Sequence, residues 1–307
     1  MPKMHIEKST VINAPVEKIY NTLNNFNHWT PWSPWLIQEP EAKVEVAGDA
    51  KYYSWEGNRI GTGNMKVTAE KSNESIDYDL NFVKPWKSSA KVRFEMKSQG
   101  EGTEVTWLMD SSLPVFMFWM KKMMEAYVGM DYERGLSMLK EYVEDGTVHS
   151  KLDFNGSSTY PGCTYVGVKT ACTKETIGTQ MEKDFGEIWA FMSGHKDLIS
   201  GHPFSIYHKW DLVKNKISYT SGVPVSRIPD NLPDGFITGK IPKTPIYTVK
   251  HTGPYGHLGN AWSTLYSMER NKSFKANKKI DPFETYANDP GEVPHNELIT
   301  EVHFATK

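Results

Sequence analysis

The chain has 307 residues, 23 % of them charged, and a formal net charge of −2. Its lysines and arginines are scattered without a long basic block, which argues against nucleic acid as a partner. At roughly 150 residues per domain the length suggests two domains, each able to bury its own core.

Two cysteines, Cys163 and Cys172, are too few for a disulfide framework and suit a reduced, cytoplasmic protein. The N-terminal MPKMHIEKSTVINAP has no apolar run of signal-peptide length. The most apolar stretch, LPVFMFWM at residues 113–120, is far short of the ~20 residues a membrane span needs. No membrane partner is therefore expected.

Residues 5–12 have strand character. Asn13-Ala14-Pro15 then reads as a helix start, an N-cap candidate followed by proline in the first turn. Val16, Ile19, Tyr20, Leu23 and Phe26 follow at helical spacing. The helix should stop before the proline-rich HWTPWSPWL. Residues 44–111 carry alternating runs (51–57, 64–70, 75–83, 90–96, 103–109) separated by Gly, Asn and Lys clusters, as in an antiparallel meander. A long helix is expected over 115–144. Its buried stripe would run through Phe116, Met120, Met123, Tyr127, Met130, Tyr132, Leu136, Leu139 and Val143. Residues 146–160 are polar and aperiodic, and read as a linker between domains 1–145 and 161–307.

The second half contains an internal repeat. Phe185-Gly186-Glu187-Ile188-Trp189 and Leu258-Gly259-Asn260-Ala261-Trp262 are separated by one constant offset. Pro203-Phe204-Ser205-Ile206-Tyr207 is echoed, in the same order along the chain, by Pro282-Phe283-Glu284-Thr285-Tyr286. Each copy reads strand, helix, strand, strand. Two such units would pair into one sheet about a pseudo-two-fold axis, and the groove along that axis is a natural concave site.

The first half resembles the START-like superfamily (SRPBCC, polyketide cyclase/dehydrase-like) through INAPVEKIYNTL, the Trp29–Trp32–Trp35 segment, the meander and the long C-terminal helix. The resemblance implies a curved antiparallel sheet gripping that helix, with an apolar tunnel between them. The second half resembles a GyrI-like effector-binding domain of AraC and MerR regulators. Its carriers are the duplicated unit, HTGPYGHLGNAW, PFETYANDPGEVP and ELITEVHF. The combined expectation is an α+β chain with two antiparallel sheets. The helix-turn-helix of the regulators has no counterpart here, since the START-like half takes its place.

The GyrI-like resemblance implies an aromatic-lined cleft with a carboxylate from the last strand, which falls on Glu301. The lining would fall on Tyr255, Trp262, Trp189, Tyr207, Tyr286 and Phe204. By alternation Glu301 shares a face with Ile299 and His303, so the strand pattern leaves open whether it is solvated or in a pocket. Trp189 and Trp262 suit either core or lining. The function implied is binding of a lipophilic or cationic small molecule for sensing, sequestration or detoxification. The alternative is a hydrolase of strained or activated molecules, with Glu301 as general base and Tyr255 as hydrogen-bond donor. The histidines form no HxxxH or HExxH pair and there is no CxxC, so neither a metal nor a cofactor is expected.

Overall fold

A computed structural model describes residues 2–307. The chain divides into two compact units, residues 1–149 and 150–307.

The first unit opens with β1 (Lys3–Ile12) and α1 (Val16–Leu23). The N-cap position is Pro15 in extended conformation, with no side-chain cap. Phe26 falls in a separate 3₁₀ turn, so α1 is shorter than the apolar spacing suggests. A meander follows: β2 (Lys43–Val46), β3 (Tyr52–Glu56), β4 (Thr62–Lys71), β5 (Ser75–Lys84), β6 (Ser88–Gln99) and β7 (Gly102–Ser112). The sheet order is β1-β7-β6-β5-β4-β3-β2, and every pair is antiparallel. Helix α2 (Lys121–Asp145) closes the unit. It ends on Gly146 in the left-handed region (φ 79°), where a glycine carries no Cβ penalty.

The space between sheet and α2 is filled with rings. Trp107 of β7 stacks on Tyr132 of α2 at 3.9 Å and on Phe94 of β6 at 4.8 Å. Trp32 and Trp35 strike the Trp107 ring edge-on at 5.8 and 5.9 Å. The Trp29 indole and the Tyr78 hydroxyl both donate to the Leu23 carbonyl at the end of α1. Full burial of each such ring contributes roughly 2–3 kcal/mol. The tryptophan-proline segment thus plugs the position where a tunnel was expected.

The long helix departs from the expected stripe. Residues Val115–Met120 form a 3₁₀ segment with no buried residue, and the α-helix begins only at Lys121. The buried positions of α2 start at Gly129 and continue through Tyr132, Leu136, Leu139 and Val143. Phe116 and Tyr127 are exposed. The apolar periodicity is real, but its N-terminal part is at most half-buried.

In the second unit, the segment expected to be a linker is instead a strand, β8 (Lys151–Tyr160). Then come β9 (Cys163–Cys172), α3 (Ile177–Met192), β10 (Phe204–Asp211), β11 (Lys216–Val225), β12 (Phe236–Ile241), β13 (Thr244–Thr252), α4 (Gly259–Arg270), β14 (Phe283–Tyr286) and β15 (Ile299–Ala305). The sheet order β12-β9-β11-β10-β14-β15-β13-β8 is symmetric about the β10–β14 pair. β9-α3-β10-β11 and β13-α4-β14-β15 are the two copies. The outer strands are exchanged: β8 leads into β9 but pairs with β13, and β12 leads into β13 but pairs with β9. Gly162 (φ 83°) sits at this crossing. A Cβ there would lie 2.7 Å from the Lys243 amide nitrogen, so no side chain fits.

Strand parity gives the sheet two distinct faces. Val223, Ser221, Tyr219, Ser205, Tyr207, Glu284, Tyr286, Val302 and Val249 share the face covered by α3 and α4. Phe204, Phe283, Thr285, Glu301 and His303 share the other.

Candidate functional site

At the centre of the sheet β14 pairs with β10, and Glu284 lies directly opposite Ser205. These two residues are also equivalent in the PFSIY/PFETY echo. Glu284 is 1 % exposed. Its Oε1 accepts from the hydroxyls of Tyr207 (2.9 Å) and Tyr286 (2.7 Å), which are themselves repeat equivalents. Its Oε2 accepts from the Trp262 indole at 2.7 Å. The Tyr286 hydroxyl also lies 2.9 Å from Ser205 Oγ. The near-symmetry of the halves therefore delivers two phenols to one point, and the Ser205/Glu284 difference places one carboxyl there.

All three groups that hold this carboxyl are neutral. Burial raises its pKa, and the bonds from Tyr286, Trp262 and Tyr207 pull in the opposite direction. Burial together with the nearby Glu284 carboxyl keeps the Tyr207 and Tyr286 phenols protonated far into the alkaline range. Further rings surround this centre. Phe185 of α3 and Tyr255, before α4, both meet Tyr286 edge-on, at 5.5 and 5.7 Å. Trp262 packs edge-on against Tyr207 at 4.8 Å, and Trp210 lies 5.6 Å from Tyr207. Tyr255 and Trp210 are exposed, while Tyr207, Trp262 and Tyr286 are half-buried. The rings thus lead from solvent down to the acid. Burial raises the Tyr255 hydroxyl to about 12.

Of the residues singled out from sequence, Trp262, Tyr207, Tyr286 and Tyr255 come together here. Glu301 does not. It pairs with Thr285 and Lys250 on the sheet face away from the helices. Its side chain is 35 % exposed, and it accepts a 3.2 Å bond from Asn155. The correction is one of parity: Val302, the neighbour of Glu301, is the residue opposite Glu284. Phe204 is likewise on the opposite face, fully buried against Tyr165. Trp189 is exposed on α3 and joins no ring pair of the cluster. Tyr255 stays in the cluster through its ring only. Glu284 stands in the PFETY echo but is not among the site residues expected from sequence; its signal is an acid two residues from Tyr286 in a short strand, on the same face.

The other face holds a separate polar group. His303 is bridged by Thr248 Oγ1 (2.8 Å, Nδ1) and Thr285 Oγ1 (3.0 Å, Nε2), and burial lowers its pKa to about 4. On the helix-covered face, two residues along β13 from Val249, His251 lies beside Ser150 (3.0 Å), and burial, with some help from His257, lowers it to about 4. No group of histidines, cysteines and carboxylates that could hold a metal ion occurs among the described residues. Both cysteines are free thiols.

Residues 3–144 match the family described as polyketide cyclase/dehydrase and lipid transport, and residues 160–307 match the GyrI-like small molecule binding domain family. The chain thus joins a domain of the first family to a domain of the second. Among solved structures it is similar to the EcmrR C-terminal domain, with 18 % identity, covering 52 % of this chain and 98 % of that one, at a TM-score of 0.43. The cryo-EM structure of an EcmrR–DNA complex gives 17 % identity, 62 % and 69 % coverage and a TM-score of 0.42. The Aha1 dimer from Colwellia psychrerythraea gives 20 % identity, 47 % and 98 % coverage and a TM-score of 0.35. No curated protein matches the chain. Both domains are of small-molecule-binding kinds.

Proposed function

We propose that the second unit captures a lipophilic cation, with Glu284 as its charge partner and Tyr207, Trp262, Tyr286 and Tyr255 as its walls. The observation that carries this is a buried carboxyl held only by neutral donors within a ring cluster that reaches solvent. An isolated buried carboxylate costs several kcal/mol, and hydrogen bonds to a charged group return about 1.5–3 kcal/mol each. An entering cation completes the compensation, and each well-placed ring adds about 0.5–2 kcal/mol. Sensing, sequestration and detoxification all follow from such capture. In the hydrolytic alternative, the base position passes from Glu301 to Glu284, whose raised pKa suits proton transfer.

The test is calorimetric titration of the full chain with tetraphenylphosphonium and with neutral triphenylphosphine oxide. Glu284→Gln should weaken the cation by about tenfold or more, the worth of one lost charge contact, and leave the neutral compound nearly unchanged. Because the cation competes with a proton, wild-type affinity should rise with pH through the raised Glu284 pKa and level off above it. Equal losses for both compounds, or unchanged cation affinity in Glu284→Gln, would discard the reading.

A further inference from the structure

The part of the apolar stripe left unburied is not scattered. Trp86 is 62 % exposed, Phe116 77 %, Phe118 67 % and Trp119 68 %. Val83 and Val115 are exposed beside them in sequence. Register places these residues at one end of the first sheet. Phe82 pairs with Ser88 across the β5–β6 turn, and Ala90 pairs with Ser111 just before the chain leaves β7. The turn carrying Trp86 and the 3₁₀ segment Val115–Met120, which follows β7 after two residues, therefore leave the sheet at the same end. Single exposed rings are ordinary on a protein surface, but a contiguous set marks an interaction surface.

The charges within the two segments that carry this set have one sign. Lys84 and Lys87 flank Trp86, and Lys121 and Lys122 follow Trp119 directly. No acid occurs within 83–88 or 113–124. The carboxylates that reach these lysines sit at the margin: Glu56 at 4.0 Å from Lys84 and Glu125 at 3.6 Å from Lys121. Projecting Trp and Phe rimmed by Lys stems match a bilayer interface, where rings enter the headgroup–acyl boundary and ammonium groups meet lipid phosphates.

We infer that this end of the first unit, built from Trp86, Phe116, Phe118 and Trp119 with Lys84, Lys87, Lys121 and Lys122, docks reversibly on an anionic phospholipid surface. The contact is peripheral: no helix among the described residues is long and apolar enough to cross a membrane. It revises the expectation that membranes play no part. It is independent of the Glu284 site, so each proposal can fail alone.

The experiment is co-sedimentation of the full chain with vesicles of phosphatidylcholine alone and of phosphatidylcholine mixed with phosphatidylglycerol. Binding should appear on the mixed vesicles and weaken with added salt. Lys87→Gln and Lys122→Gln should each weaken it about fivefold. Trp119→Ser should weaken it by about tenfold or more, with the melting temperature unchanged because the ring is exposed. No binding to phosphatidylglycerol vesicles, or binding indifferent to Trp119→Ser and Phe116→Ser, overturns the inference. So does self-association in sedimentation that the same substitutions abolish while vesicles go unbound; the patch would then pair two copies of the chain.

Discussion

Both units gather aromatic residues between a sheet and its helices, yet to opposite ends. In the first unit the rings turn their faces and edges to one another around Trp107. Two of their polar tips are spent on a helix carbonyl. In the second, the polar tips of Tyr207, Tyr286 and Trp262 converge on one carboxyl. The same residue types make a core where their quadrupoles pair, and a site where their N–H and O–H groups share an acceptor. Ring content alone does not distinguish these outcomes.

The comparison can be strained first at its solid side. Trp107→Ala removes the ring on which Phe94, Trp32, Trp35 and Tyr132 all pack, and should destabilise the first unit by about 3–5 kcal/mol, read by denaturant titration. A loss under ~1 kcal/mol would show that the rings are loosely held and that the unit keeps usable space.

Acid should separate the units next. His251 and His303, both of the second unit, have native pKa values lowered to about 4 from an ordinary 6.5. A histidine lowered in the native state contributes stability present above its unfolded pKa and lost as pH falls toward the native one. Each should therefore give up about 3 kcal/mol between pH ~6.5 and ~4. The second unit's melting transition should drop across that window. His303→Asn should make the drop shallower, and a second unit that melts at one temperature from pH 7 to 4 would contradict this account.

The smallest effect sharpens the placement of the acid. Glu301→Gln alters a half-exposed side chain bonded to Asn155, and should change stability by under ~0.5 kcal/mol. Cation affinity should stay at the wild-type value. A loss as large as that of Glu284→Gln would return the site to the other sheet face.

The architecture was legible in the sequence because it rests on periodicity and repetition. The meander, the long helix and the duplicated half all announce themselves in local pattern, and both family matches agree with them. Four of the rings around Glu284 follow from motif position or the repeat: Tyr207, Trp262, Tyr286 and Tyr255. The errors have one physical origin. Which face of a strand or helix meets another layer is settled by partners distant in sequence. The alternation around Glu301 is sound, but its face looks away from α3 and α4, and one step of register moves a side chain to the opposite side. The helical stripe from Phe116 to Tyr127 is likewise regular, yet none of it is fully buried and Phe116 and Tyr127 stay exposed.

By itself, the sequence determined two α+β units, their order, a duplicated second half and a surplus of rings in each, since these follow from short-range pattern and composition. Tertiary structure alone decided that β8 and β12 exchange halves, that Glu284 rather than Glu301 lies beneath the rings, and that one apolar end stays uncovered. Those outcomes depend on strand pairing across the sheet, where residues far apart in the chain set each other's surroundings.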